Sequence, residues 1–338
     1  MRPIVWISES ISHVLRERVP EAEWVTSAAA FVRAPRDAST VSFVDGSTIA
    51  EVERAAKVAS GSPVPGPVIA ICDGTLPSAI PWLEKFGWLS HVVSVAMLQH
   101  PMAVEHLGNV MSTLTQTGRP KLLNWLGPEV AGRRIRVTQA SRRAERVDRI
   151  GDFFDSKGVS ARTVRLLRDS AEELLTNAFY DAPVAAGVVK QAISRTQDVS
   201  VPDGSACDLV YACSDDLAIV RVRDPFGSLT RKRIVEVLMR CVRQDMQVQV
   251  DESMGGAGLG LWRIFTAASF VAISVVNHRH TEVLVGIGKR VTSGPRPFAF
   301  HLFFNEGTKR RFWKLLDDDS ESISIYESYS LDDGAKKP

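Results

Sequence analysis

Three short stretches of this chain combine residue types and spacings suited to handling a charged ligand. Glu173, Asn177 and Asp181 recur every four residues beside an apolar helical stripe of Val164, Leu167, Ala171, Leu174, Leu175, Ala178 and Ala182. That spacing predicts one helix over Ala161–Ala182 with the three oxygen-bearing side chains along one line, at the wall of a cavity. About forty residues on, Leu-Ala-Ile-Val-Arg-Val (Leu217–Val222) reads as a strand running into Arg223-Asp224-Pro225-Phe226-Gly227-Ser228. A carboxylate held at a strand end before a glycine turn can accept a hydrogen bond from an amine inside a pocket. The third stretch, Gly255-Gly256-Ala257-Gly258-Leu259-Gly260-Leu261, opens a helix over Leu259–Ala268. Glycines before a helix let backbone N–H groups approach an anion, and the helix dipole favours it. No Gly-Lys-Ser/Thr follows, so the stretch is not a Walker loop.

The ordered set of Glu-Leu-Leu-Thr-Asn-Ala (Glu173–Ala178), strand-Asp224 and Gly-Ala-Gly-Leu-Gly-Leu (Gly256–Leu261) resembles the ATP-binding domain shared by gyrase, MutL and histidine kinases, the GHKL superfamily. The resemblance spans Ser141–Gly288. It implies ATP and Mg²⁺ as ligands and an α+β histidine kinase-like ATPase sandwich, with helices on one face of a mixed, largely antiparallel sheet. It implies Asn177 as the Mg²⁺ ligand, Glu173 as general base and Asp224 as acceptor from the adenine amine. Gly227, Gly256, Gly258 and Gly260 would let the loop, lid and helix terminus wrap the nucleotide. The motif departs from the family's Asp-x-Gly-x-Gly, because its glycines are displaced or missing in Asp224-Pro225-Phe226-Gly227-Ser228. The lid between Gly227 and Gly255 is short and carries Arg231, Lys232, Arg233, Arg240 and Arg243. One or two of these are expected at the phosphates and the rest in solvent.

Residues 1–120 have a different grammar. Short apolar runs at Pro3–Ile7, Glu23–Thr26, Thr40–Val44, Val68–Cys72 and Val92–Leu98 alternate with helical patterns, the last over Met102–Leu114. That alternation predicts an α/β domain with a parallel sheet covered on both faces, flavodoxin-like in winding. In outline it resembles a response-regulator receiver domain. The matching pocket is degenerate: one acid, Glu9, follows the first strand where two are usual, and no Lys follows Met97-Leu98-Gln99-His100-Pro101. Asp45 ends the third strand and is either a phosphoacceptor or, in Asp45-Gly46-Ser47, the start of a turn and helix cap.

Between these halves, 121–140 reads as a basic connector containing Arg133-Arg134-Ile135-Arg136, leading into a helix near Ser141–Phe154. The ATP domain is expected over 141–305, with Phe298–Phe304 a further buried strand outside its usual core. Residues 306–338 read as a helix around Lys309–Lys314 and an acidic tail.

Bulk composition narrows the classes. The 338 residues carry 41 Lys+Arg against 39 Asp+Glu and are 45% hydrophobic, which fits a soluble two-domain protein and gives no reason to expect nucleic-acid binding. No apolar run approaches a membrane span and the start lacks a signal-peptide pattern, so a cytoplasmic location is expected. Four scattered Cys form no C-x-x-C pair, which argues against a zinc ribbon or disulfide scaffold.

None of the seven His lies between Leu107 and Asn277, where a histidine kinase would carry its phosphoacceptor helix. The pattern looks more like the anti-sigma-factor serine kinases. By that resemblance the chain phosphorylates Ser or Thr of a partner regulator, of the anti-anti-sigma or two-component type, and a homodimer is a further expectation. The alternative is a non-catalytic nucleotide-dependent switch, with the receiver-like half as its sensing or interaction module.

Overall fold

The computed structural model describes residues 3–36, 40–60, 66–115, 122, 125, 130–243, 259–289 and 295–305. Gly256, Gly258, most of the glycine-rich lid, and the helix and acidic tail expected over 306–338 lie outside the described residues.

The chain is mixed α/β. In its first half β1 (Ile4–Val5), β2 (Glu23–Trp24), β3 (Ser42–Asp45), β4 (Val68–Cys72) and β5 (His91–Ser94) alternate with helices. All four pairings are parallel, in the order β2-β1-β3-β4-β5, the order 2-1-3-4-5 found among doubly wound sheets. Strands β3, β4 and β5 are buried at every position, as a sheet covered on both faces requires. The covering helices are α1 (Glu9–Arg18), α2 (Ala28–Arg33), α3 (Ile49–Ser60), α4 (Leu76–Lys85), α5 (Val95–Gln99) and α6 (Ala103–Thr115).

The second half begins with β6 (Ala131–Val137), so the stretch read as a connector contributes a strand. It continues through α7 (Arg143–Ser156), α8 (Ala161–Thr176), α9 (Ala182–Ala185), β7 (Cys207–Cys213), β8 (Leu217–Asp224), α10 (Arg231–Val242), α11 (Leu259–Ala267), β9 (Phe270–Val276), β10 (His280–Gly288) and β11 (Ala299–Asn305). Antiparallel pairing links β6-β7-β8-β10-β9. One face of this sheet packs on the helices: Ile150 and Phe154 of α7 and Val164, Leu167 and Ala171 of α8 join Leu209, Tyr211, Val220 and Val285 in one cluster. Each such fully buried large apolar side chain stabilises the fold by ~1.5–3 kcal/mol.

The two halves are not separate sheets. Strand β11 pairs parallel with β9 and antiparallel with β5, which makes a single sheet of 11 strands. It is a further buried strand, as expected, and it forms the seam between the two halves. Its sequence explains why: Phe300 and Leu302 join the cluster on one face, and Ala299 and Phe303 the cluster on the other. A strand apolar on both sides must be covered on both sides. Helix α6 supplies Leu107 and Val110 to the second cluster, with Ile219 and Phe270 from the second half.

A second tie runs through α10. Arg231 Nη2 donates to the carbonyl oxygens of Leu83, Phe86 and Leu89 at 2.7, 3.2 and 2.8 Å, around the C-terminal end of α4. Helix C-termini leave carbonyls unsatisfied and attract cations, so the guanidinium is well matched. Arg243 Nη2 also donates to both carboxylate oxygens of Glu84, at 3.0 and 2.8 Å. Two arginines expected at the phosphates or in solvent are therefore engaged in joining the halves.

Candidate nucleotide site

Helix α8 starts cleanly, with Ser160 accepting the Thr163 N–H at 3.2 Å as its cap. It does not run unbroken to Ala182. Asn177–Asp181 form one wider π turn before α9, a feature that recurs at functional sites because it re-aims side chains. The expectation that Glu173, Asn177 and Asp181 fall on one regular helical line is corrected accordingly. All three remain half-buried, and the carboxylates of Glu173 and Asp181 interact through space.

Gly260, in the first turn of α11, lies directly against Glu173. A Cβ added there would fall 1.9 Å from the carboxyl carbon and 2.2 and 2.3 Å from its oxygens. Two segments nearly ninety residues apart thus meet, and the glycine is what permits the approach.

Asp224 ends β8 and is only 8% exposed. Its Oδ1 accepts the Phe226 N–H at 2.8 Å. Burial pushes its carboxyl up to about 6, although backbone N–H groups of Phe226, Gly227 and Thr281 favour the ionised form. Thr281 sits directly across on β10. Its buried hydroxyl favours the ionised carboxylate but makes no hydrogen bond of good geometry among the described residues. A buried acceptor beside a buried hydroxyl with spare capacity suits a ligand that presents both a donor and an acceptor, such as a nucleobase edge. The sequence reading missed Thr281; the signal was its position opposite a strand-end carboxylate, visible only once strands are paired.

Gly227 has φ +60°, and a Cβ there would lie 2.2 Å from the Val276 carbonyl oxygen and 2.8 Å from the Arg279 nitrogen. This glycine presses the loop after Asp224 onto the turn between β9 and β10, where His278 N–H donates to its carbonyl at 3.3 Å. Replacing Gly227 with Ala is expected to destabilise the protein by more than about 3 kcal/mol, since left-handed strain adds to a backbone clash. Urea unfolding checks this, and a wild-type midpoint would contradict the packing. Ser228 Oγ donates to the Ala182 carbonyl at 3.1 Å, tying the same loop to the end of the π turn. Asp224, Asn177 and Glu173 are by these contacts parts of one region.

An oxygen-rich set at Asn177, Glu173 and Asp181 fits Mg²⁺, which takes few protein ligands and keeps the rest for water and phosphate oxygens. The described residues include no group of three or more His, Cys, Asp or Glu arranged to hold a metal by themselves. In such a site Asn177 would contribute one ligand and phosphates the others.

Asp45 is placed elsewhere, at the end of β3, and is 3% exposed. Its Oδ1 accepts from Ser47 N, Ser47 Oγ and Thr48 N at 2.9, 2.6 and 2.9 Å, and its Oδ2 from Ser8 N at 2.6 Å. Burial opposes ionisation, but the bonds from Ser47, Ser8 and Thr48 outweigh it and hold the carboxyl below its ordinary value. These bonds close the turn over Asp45–Thr48 that leads into α3. The Trp82 ring also closes over Gly46, 2.8 Å from where a Cβ would stand.

Among the described residues no helix is long and apolar enough to cross a membrane. All four cysteines are free and buried. No protein-family model matches the chain, and no curated protein is significantly similar to it.

Proposed function

We propose that the chain is an ATP- and Mg²⁺-binding signalling protein of the GHKL type, acting in the cytoplasm as a serine/threonine kinase of a partner regulator. The observation that supports this most is the approach of Gly260 to Glu173, one helical turn before Asn177, with the Asp224 loop tied to the same π turn. Asp224 accepts from the adenine amine, Asn177 ligates Mg²⁺, and Gly227, Gly256, Gly258 and Gly260 permit close approach of backbone to nucleotide. Glu173 takes the proton of the partner's hydroxyl as its oxygen bonds to the γ-phosphorus. The bond to the β–γ bridging oxygen breaks, and ADP leaves.

The test is γ-phosphate transfer to a co-purifying partner. Glu173→Ala should abolish transfer and retain nucleotide binding. If Asn177→Ala and Asp224→Ala both bind ATP as the wild type does, the assignment is wrong. The carboxyl of Asp224, at about 6, adds a pH signature. Lowering the pH from 7 to 6 should weaken adenine-nucleotide binding by about twofold through protonation of this acceptor, and Asp224→Asn should remove that dependence. Equilibrium titration at the two pH values reads it directly.

A second reading, a nucleotide-dependent switch without turnover, is favoured by the tie between α10 and α4. Helix α10 leads into the glycine-rich segment and is held at Arg231 and Arg243 to the first half. Binding without transfer, with partner affinity differing between ADP and ATP, would select it.

A further inference from the structure

A guanidinium outside every motif reaches the candidate site. Arg195 lies in the segment 186–206 between α9 and β7, and its Nη2 donates to Asp181 Oδ2 at 3.3 Å. That segment is fastened to the π turn by the Tyr180 hydroxyl, which donates to the Gln197 carbonyl at 2.7 Å, so the position of Arg195 is set rather than incidental. Its Nε–H is buried and has no acceptor among the described residues. Arg233, from the first turn of α10, also acts on Asp181, and Glu173 opposes both. The Asp181 carboxylate thus has one cation in contact, Arg195, and feels the charge of a second, Arg233, from another segment.

A carboxylate four residues beyond a Mg²⁺-binding Asn would repel a triphosphate unless neutralised. The Asp181–Arg195 contact is long for a charge-assisted bond, and its side chains are 40% and 37% exposed, so it is a weak and exchangeable pair. A guanidinium carries five donors in a planar fork that matches phosphate oxygens better than a single 3.3 Å contact uses. The direction along the helix also matters. With Glu173 assigned to the reacting end of the nucleotide, Asp181, which follows Asn177 on the other side along the chain, is assigned to the inner phosphates.

We propose that Arg195 is a phosphate-contacting residue of the nucleotide site, held by Asp181 in the free protein and transferred to the α- and β-phosphates when nucleotide binds. This rests on the reading of the site as an ATP site.

The test is equilibrium binding of ATP, ADP and adenosine to the full chain and to Arg195→Gln, Arg195→Lys and Asp181→Asn. Arg195→Gln should weaken ATP and ADP by about tenfold each and leave adenosine unchanged. Arg195→Lys should recover part of the loss. Asp181→Asn should strengthen ADP binding by a few-fold, a change in a direction that damage to the fold would not produce. Unchanged ADP binding by Arg195→Gln overturns the proposal, as does an equal loss for adenosine. If the wild-type chain binds neither ATP nor ADP, the nucleotide reading itself falls, and this one with it.

Discussion

Lowering the pH from 7 to 5 is expected to cost this protein at least about 3 kcal/mol of stability, a large share of the ~5–15 kcal/mol of a typical domain. The source is a trio of histidines where the two halves meet. His91 on β5 and His301 on β11 are cross-strand partners, and His106 Nε2 on α6 lies 3.0 Å from His301 Nε2. Trp125 and Phe270 pack edge-on or tilted against His106 at 5.8 and 5.0 Å. Burial holds His91 at about 3 and His106 at about 4, and pushes His301 well below its usual range, with the other two rings adding to the last. All three folded values lie below the unfolded value of 6.5. Between them the unfolded chain binds more protons, so stability falls as pH drops through 6.5 toward 4. At pH 5 His91 and His106 each contribute ~2 kcal/mol to that loss, and His301 adds to it in the same direction. Asp224 acts oppositely: its folded value of about 6 exceeds the unfolded 3.8, so acid favours the fold there and offsets ~1 kcal/mol. Urea unfolding as a function of pH measures the slope. A His106→Phe/His301→Phe double variant removes both partners of one bond and should cost little at pH 7, while reducing the proton uptake on unfolding by about two. An acid slope unchanged in that variant would locate the sensitivity elsewhere.

Replacing Arg221 with Met should destabilise the protein by ~3–5 kcal/mol at pH 7. Arg221 lies on β8 between Asp208 on β7 and Glu282 on β10, its side chain 3% exposed and that of Glu282 4%. Its Nε donates to Glu282 at 2.7 Å and its Nη1 to Asp208. Asp208 keeps a second cation in Arg134 at 2.9 Å, but Glu282 loses the guanidinium that pairs with it. A buried carboxylate without that partner is the costly outcome, whereas removing all the charges together is far milder. Combining Arg221→Met with Asp208→Asn and Glu282→Gln should therefore recover a large part of the loss. Burial alone would raise the Asp208 carboxyl, but Arg221 and Arg134 outweigh it and hold it below 3.8. Its contribution is accordingly present above pH 3.8 and fades as pH falls through the depressed value. The two predictions are separable, because the histidine effect appears at pH 5 and the Arg221 effect at pH 7.

Local patterns in the sequence carried far. The alternation of short apolar runs and helical periods identifies β1 to β5 and most of their helices, because covered parallel strands leave uninterrupted apolar runs. It misses α2, and it reads Val92–Leu98 as one strand where the chain turns into α5 after Ser94. The helix bearing Glu173 and Asn177, the strand ending at Asp224 and the helix after Gly258 are likewise visible, since each depends on contacts within a few residues. These determined the element types and the residues from which the candidate site is built.

Only the tertiary structure decided how those parts combine. The apolar run of β11 is legible, but its place between β5 and β9 depends on which strand edges remain open some two hundred residues earlier. Arg231 and Arg243 look like lid cations in sequence, because nothing local signals the carbonyls of Leu83, Phe86 and Leu89 or the Glu84 carboxylate that engage them. The π turn, the Thr281 hydroxyl beside Asp224 and the reach of Arg195 to Asp181 have the same origin. Periodicity records which face a residue turns to its own element's neighbours. Which distant group it meets there is set by the closing of the sheet, and in this chain that closure makes one sheet of what reads as two domains.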